Sequence, residues 1–155
     1  MAKYIISAND IELLKHEVSS RVGARISRDK EFSPICAYCA PPMGKMVVSA
    51  DGRNPKLSND EVIHQQLDVL YEVFSETGLH MFCIAWQENA SKKEGVVVIH
   101  TEFADGHATE KRLPYRFGLF NNHSWITEKI TEEDAEALFF SIAAIDSLIA
   151  KNERS

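Results

Sequence analysis

The stretch GVVVIHTEFADGHATEKRLP, Gly95–Pro114, decides the fold. Its first half, Gly95 to Phe103, is rich in β-branched residues (Val96, Val97, Val98, Ile99, Thr101), which suit a pleated strand. Asp105-Gly106 marks a tight hairpin, and Ala108 to Leu113 is the returning strand. A two-residue loop would set Ile99 opposite Arg112, and a three-residue loop would set it opposite Leu113. The second is preferred, because apolar then meets apolar. Pro114 has no N–H to give, so the returning strand is expected to end there or to lie at an edge. Upstream, Leu79 to Trp86 is nearly continuous in apolar residues, as a central strand would be, and the polar segment Gln87–Glu94 joins it to the hairpin.

Helices flank this unit. The clearest runs from Asn59 to about Thr77. Ser58-Asn59-Asp60-Glu61 has capping-box spacing, Ile63, Leu67, Leu70 and Phe74 form an apolar stripe widened by Val62, Val69 and Val73, and Gly78 ends it. An earlier helix is expected from about Asn9 to Val22, on the repeat of Ile11, Leu14, Val18 and Val22, with Gly23 as its stop. A last helix is expected from Thr131 to Ala150, with Glu132, Glu133 and Asp134 at its positive end, and a frayed tail after Asn152. Between the first two helices, residues 24–57 read as a long irregular loop. Pro34, Pro41, Pro42 and Pro55 interrupt it, with a short strand only at Lys45–Ser49 and a turn at Asp51-Gly52. Tyr115–Ile130 reads as a linker. The fold class is α+β: a small antiparallel sheet of three to four strands packed against two or three helices, in a single domain of 155 residues.

Hydrophobic residues make up 45% of the chain, enough for a core and too many for a disordered chain. No apolar run approaches the ~20 residues of a membrane helix. Met1–Ser7 lacks the apolar run of a signal peptide, so a cytoplasmic location is expected. The net charge of −6 is unevenly spread: residues 1–57 carry nine Lys/Arg against six Asp/Glu (+3), and residues 58–155 carry eight against seventeen (−9).

Motifs specific for a reaction are missing. There is no Gly-x-Ser-x-Gly elbow, no phosphate-cradling glycine loop and no His-Glu-x-x-His helix. Cys36-x-x-Cys39 has the spacing of half a zinc site, but a second pair is lacking, and Cys83 lies in an expected buried strand. The pair is therefore read as ordinary loop thiols, and no metal or cofactor is expected. His107-Ala108-Thr109 has the His-x-Thr form of two-histidine phosphoesterases, which need two copies. His107 is read as a turn residue and His100 as a strand surface residue, so no catalytic residue is assigned.

The remaining signal is basic side chains near aromatics. Arg25, Arg28, Lys30, Lys45, Arg53 and Lys56 lie in the first third of the chain with Phe32 and Tyr38, Lys92-Lys93 tip a hairpin, and Lys111, Arg112 and Arg116 follow the second. A cationic groove with aromatic rings is how single-stranded nucleic acid is held, the cations tracking phosphates and Phe32 and Tyr38 stacking bases.

From Asp60 to Tyr115, the segments Glu76-Thr77-Gly78-Leu79, Val96–His107 and Leu113-Pro114 resemble the phage essential-recombination-function (ERF) family of single-strand annealing proteins. After Leu113-Pro114 the chain departs from the family pattern, since the helix expected there is acidic. The resemblance implies a homo-oligomer that binds and anneals single-stranded DNA without a cofactor, in DNA recombination. The alternative, drawn from the −9 half, is a small acidic protein-binding module, such as an inhibitor, immunity-type or adaptor protein, that takes a basic partner.

Overall fold

A computed structural model describes residues 8–29, 32–40, 44–49, 58–76, 78–118 and 122–139. The element order is α1 (Ala8–Asp29), β1 (Ile35–Ala40), β2 (Gly44–Ser49), α2 (Asn59–Glu76), β3 (Met81–Glu88), β4 (Glu94–Phe103), β5 (Ala108–Phe117), β6 (His123–Trp125), a 3-10 turn (Thr127–Lys129) and β7 (Thr131–Ala135). The fold is α+β, and its antiparallel sheet is larger than the expected three to four strands. Seven strands run in the order β2-β1-β3-β4-β5-β6, with β7 also paired to β5. The two described helices pack on opposite faces.

Helix α1 runs seven residues past Val22, so Gly23 is not its stop. Leu14, Val18, Val22 and Ile26 are fully buried, each contributing ~1.5–3 kcal/mol, which outweighs the ~1 kcal/mol a mid-helix glycine costs. Gly23 instead allows close approach: a Cβ there would sit 3.4 Å from His123 Nε2 and 4.0 Å from Trp125 Cζ2. This face of the sheet gathers Ile35, Ala37, Cys39, Met81, Cys83, Ala85, Val97, Ile99, Leu113 and Tyr115 against α1. The opposite face gathers Cys36, Tyr38, Ala40, Phe82, Ile84, Leu79 and Phe139 with Leu70 of α2. The α2 start is as expected, with Ser58 Oγ accepting from the Glu61 N–H at 3.2 Å. The Glu61 carboxylate takes the Ser58 hydroxyl rather than the backbone N–H of a full capping box. Gly78, at φ 87°, closes α2 by donating to the Phe74 carbonyl.

The expected loop 24–57 is largely regular structure: the last turns of α1, then β1 and β2. Pro34 and Pro41 bracket β1 rather than break it. All six β1 residues are buried, because the strand lies between β2 and β3 with a core on each face. Residues 50–57, with the expected Asp51-Gly52 turn, fall outside the described residues.

The β4–β5 register differs from the expected one by two residues: Ile99 faces Lys111, and Leu113 faces Val97. A slip of two keeps every side chain on its face. The loop has the expected three residues but is centred one residue earlier, on Asp105. Gly106, at φ 91°, donates to the Phe103 carbonyl, and Phe103 donates to the His107 carbonyl, giving a three-residue loop with a glycine bulge. Strand β5 also runs through Pro114 to Phe117. The Phe103–His107 bond fixes the alternation along the ladder, so Val96↔Pro114 is a non-hydrogen-bonded pair and the missing N–H faces away from β4. It falls between the stretches of β5 that pair with β7 (Ala108–Arg112) and with β6 (Tyr115–Phe117). The expected linker Tyr115–Ile130 therefore contributes two strands' worth of pairing.

Thr131–Ala135 is a strand, not the start of a helix. Its carboxylates meet β5 instead of a helix dipole: Lys111 faces Glu132, and Lys15 of α1 reaches Glu132 at 3.9 Å. An edge strand with its charges exposed resists pairing with a second chain. The rest of the expected helix, residues 140–150, lies outside the described residues.

Candidate functional site

The described members of the expected nucleic-acid set do not come together as one groove. Phe32 and Tyr38 are 7% and 5% exposed, one in each core, so neither ring can stack a base. Lys111 and Arg112, being adjacent on β5, point to opposite faces of the sheet. Arg112 is committed to Glu88, Nη1 to Oε2 at 2.7 Å. Arg28, Lys92, Lys93 and Arg116 are exposed, and Arg25 is half-buried. Lys45 lies in β2 opposite Cys39, and Lys30, Arg53 and Lys56 fall outside the described residues.

The cysteines are strand residues. Cys36 and Cys39 are three apart on β1 and belong to different cores, so the pair cannot close on one ion. Burial pushes the Cys36 thiol well above its ordinary range and the Cys83 thiol up to about 11. No cluster with metal-ligand geometry occurs among the described residues.

The polar residues that do converge are ones the sequence reading set aside. His100 is fully buried rather than on a strand surface, and so is Glu102 two residues on. Both point to the α2 face. Nε2 of His100 lies 2.8 Å from Glu102 Oε1, and Nδ1 lies 3.2 Å from Glu110 Oε2 across the β4–β5 pair. Glu102 also accepts the backbone N–H groups of Leu138, at 2.5 Å to Oε1, and Phe139, at 2.9 Å to Oε2. That pins the segment after β7 across the sheet, where Phe139 packs edge-on against Phe74 and Phe82. The rings of Trp86 and Phe82 flank His100, with centroids 6.4 and 6.0 Å away.

Glu110, the outer member of this chain, opens onto a cleft of about 490 Å³ between the start of α2 and the β3–β5 face. Ile63, Leu67, Trp86 and Leu138 give it apolar walls. Asp60, Glu88 and Glu110 line it with His64, and no Lys or Arg is among its described lining residues. Arg112, beside it, hydrogen-bonds Glu88 and holds that carboxylate below its ordinary range, with help from the Trp86 indole N–H at 3.1 Å. Glu88, Glu110 and Glu133 all act on Arg112, so carboxylates outnumber guanidinium groups here among the described residues. Asn59 fixes the mouth, donating from Nδ2 to the Gln87 carbonyl at 3.1 Å.

The geometry suits a cation with an apolar stem. Carboxylates supply charge and acceptors, Trp86 supplies a π face, and the apolar walls take methylenes. The signal was present in the sequence. His100 and Glu102 share the parity of Val98 on an apolar strand, which places polar groups on a buried face. The register expected from apolar matching would put Arg112 opposite His100 and hides the Glu110 pairing.

No family model matches the chain, and no match is found among curated proteins or solved structures.

Proposed function

We propose that this chain is a small acidic binding module whose cleft takes a cationic side chain, lysine or arginine, from a basic protein partner. The observation that carries the reading is the cleft's lining: Asp60, Glu88 and Glu110 beside Trp86, with no lysine or arginine among the described lining residues. A cation there meets charge-assisted hydrogen bonds and a ring face together. The neighbouring edge strand supports a protein partner over a small amine. Glu133 is exposed opposite Glu110 on the cleft-bearing face, extending the negative field that would steer a basic surface. The test is an NMR titration with N-acetyl arginine amide, with N-acetyl glutamine amide as control. Shifts at the Trp86 indole and at α2's first turn are expected, with Kd on the order of millimolar for so small a probe. No shifts, or equal shifts with the neutral control, would overturn the reading.

A second reading, single-stranded nucleic-acid binding or annealing as in the ERF family, is supported by one end of the sheet. Ser27 of α1 bonds His123 of β6, β6 pairs with Phe117, and Phe117 donates to the Lys93 carbonyl. The exposed Arg28, Lys92, Lys93 and Arg116 thus share that end. Four phosphate contacts would give a slope of log K against log salt of roughly −3. A flat salt dependence with single-stranded DNA would remove this reading.

A further inference from the structure

We infer that occupation of the cleft by a cation is linked to release of a proton from the Glu102–His100–Glu110 chain. The inference rests on the cleft reading above and adds its regulation by pH.

The argument is a count of hydrogens. Both ring nitrogens of His100 face carboxylate oxygens, at 2.8 and 3.2 Å. Each contact needs a hydrogen, and a neutral imidazole carries only one. The three groups therefore hold a second hydrogen when both contacts are made. Glu102 is the poorer place for it, because the backbone N–H groups of Leu138 and Phe139 donate to its two oxygens, and a carboxylate accepts them best. The hydrogen lies on the His100–Glu110 side, next to the cleft. With it on the ring, an imidazolium sits directly behind the Glu110 carboxylate.

A cation arriving at Glu110 competes with that arrangement. Its own donors replace the Nδ1–H as partners of the Glu110 carboxylate, and its charge repels the imidazolium of the buried ring. The Nδ1 hydrogen then leaves as a proton to the buffer. His100 remains neutral, its remaining N–H donating to Glu102, and Glu110 turns its oxygens to the ligand. The charge of the site is conserved: one cation enters and one proton departs.

Other charged groups face the same space. Asp60 and His64 come from α2, Glu88 from β3 with Arg112 of β5 upon it, and Glu133 of β7 stands opposite Glu110. The described part of the segment after β7 presents the backbone amides of Leu138 and Phe139 to Glu102. His64 is the histidine among the described lining residues, and the control must remove it.

The test is isothermal calorimetry of the whole protein with N-acetyl arginine amide near neutral pH, in phosphate and in Tris, whose ionisation enthalpies differ. Wild type and H64N are compared. The expected result is release of up to about one proton per probe in both proteins, with affinity rising up to about tenfold per pH unit across the titration. Nitrogen-detected histidine spectra should show His100 passing from two N–H groups to one on saturation. Binding with no proton release, or release that disappears in H64N, overturns the linkage and leaves the cleft reading standing. No binding of the probe overturns both.

Discussion

Replacing Glu102 by glutamine tests the buried chain most severely, because it changes one atom. Glu102 is fully buried, and among the described residues it accepts hydrogen bonds from His100 Nε2, Leu138 N and Phe139 N. Glutamine keeps one oxygen and places an NH2 where the other was. If the oxygen serves His100 and Leu138, the NH2 meets the Phe139 N–H, donor against donor, and that amide is left without its acceptor. Losing one charge-assisted bond and orphaning one buried N–H costs about 2–4 kcal/mol. For a chain of this size that is a fall in Tm of roughly 4–16 °C. The assay is urea unfolding followed by circular dichroism, and E102Q should leave the m-value unchanged. Removing His100 as well, as H100N, should cost less than the sum of the two single changes, since the partners are shared. A loss under about 0.5 kcal/mol for E102Q, or strict additivity of the pair, would refute the reasoning.

Three further outcomes follow from other parts of the fold. Gly95 lies directly across from Tyr115, whose ring folds over it to reach Gln87 on β3. A Cβ at Gly95 would come within 2.7 Å of Tyr115 Cζ, so G95A should cost ~1–3 kcal/mol in the same unfolding assay. All three cysteines are buried, so a thiol reagent should label none in the native protein within minutes and three after unfolding. Acid should weaken the fold in two separate windows. Burial lowers the His123 pKa below its ordinary value, so its contribution is complete above about pH 6.5 and fades as pH falls towards the folded value, by less than about 1 kcal/mol. The Glu88 carboxylate, lowered by Arg112, adds a second loss at lower pH that R112Q should remove.

The parts of this fold that were legible in the sequence are those set by local pattern. The α2 helix, its Ser58 cap and Gly78 stop, and the β3–β4–β5 meander follow from periodicity and turn chemistry within a few residues. The parts that were not legible depend on partners distant in sequence. Ile35–Ala40 lacks alternation because both of its faces are buried, and prolines at its ends look like breaks until neighbouring strands are in place. Thr131–Ala135 carries the acidic start of a helix, yet β5 offers an unpaired edge and Lys111 opposite Glu132. Strand pairing outweighs a helix propensity that acidic first-turn residues improve by only a few tenths of a kcal/mol each. The candidate site was hidden for the same reason. His100, Glu102 and Glu110 form a chain only in a register set by the bulge at Gly106, and Lys111 and Arg112, neighbours in sequence, lie on opposite faces of the sheet.

Charge neutralisation inside the cleft gives the most direct measurement of its role. The affinity of N-acetyl arginine amide should fall about tenfold in D60N, whose side chain is exposed and lines the cleft, with Tm within about 2 °C of wild type. Equal affinity in D60N and wild type, or an affinity for the neutral glutamine probe as strong as for the cation, would contradict the account.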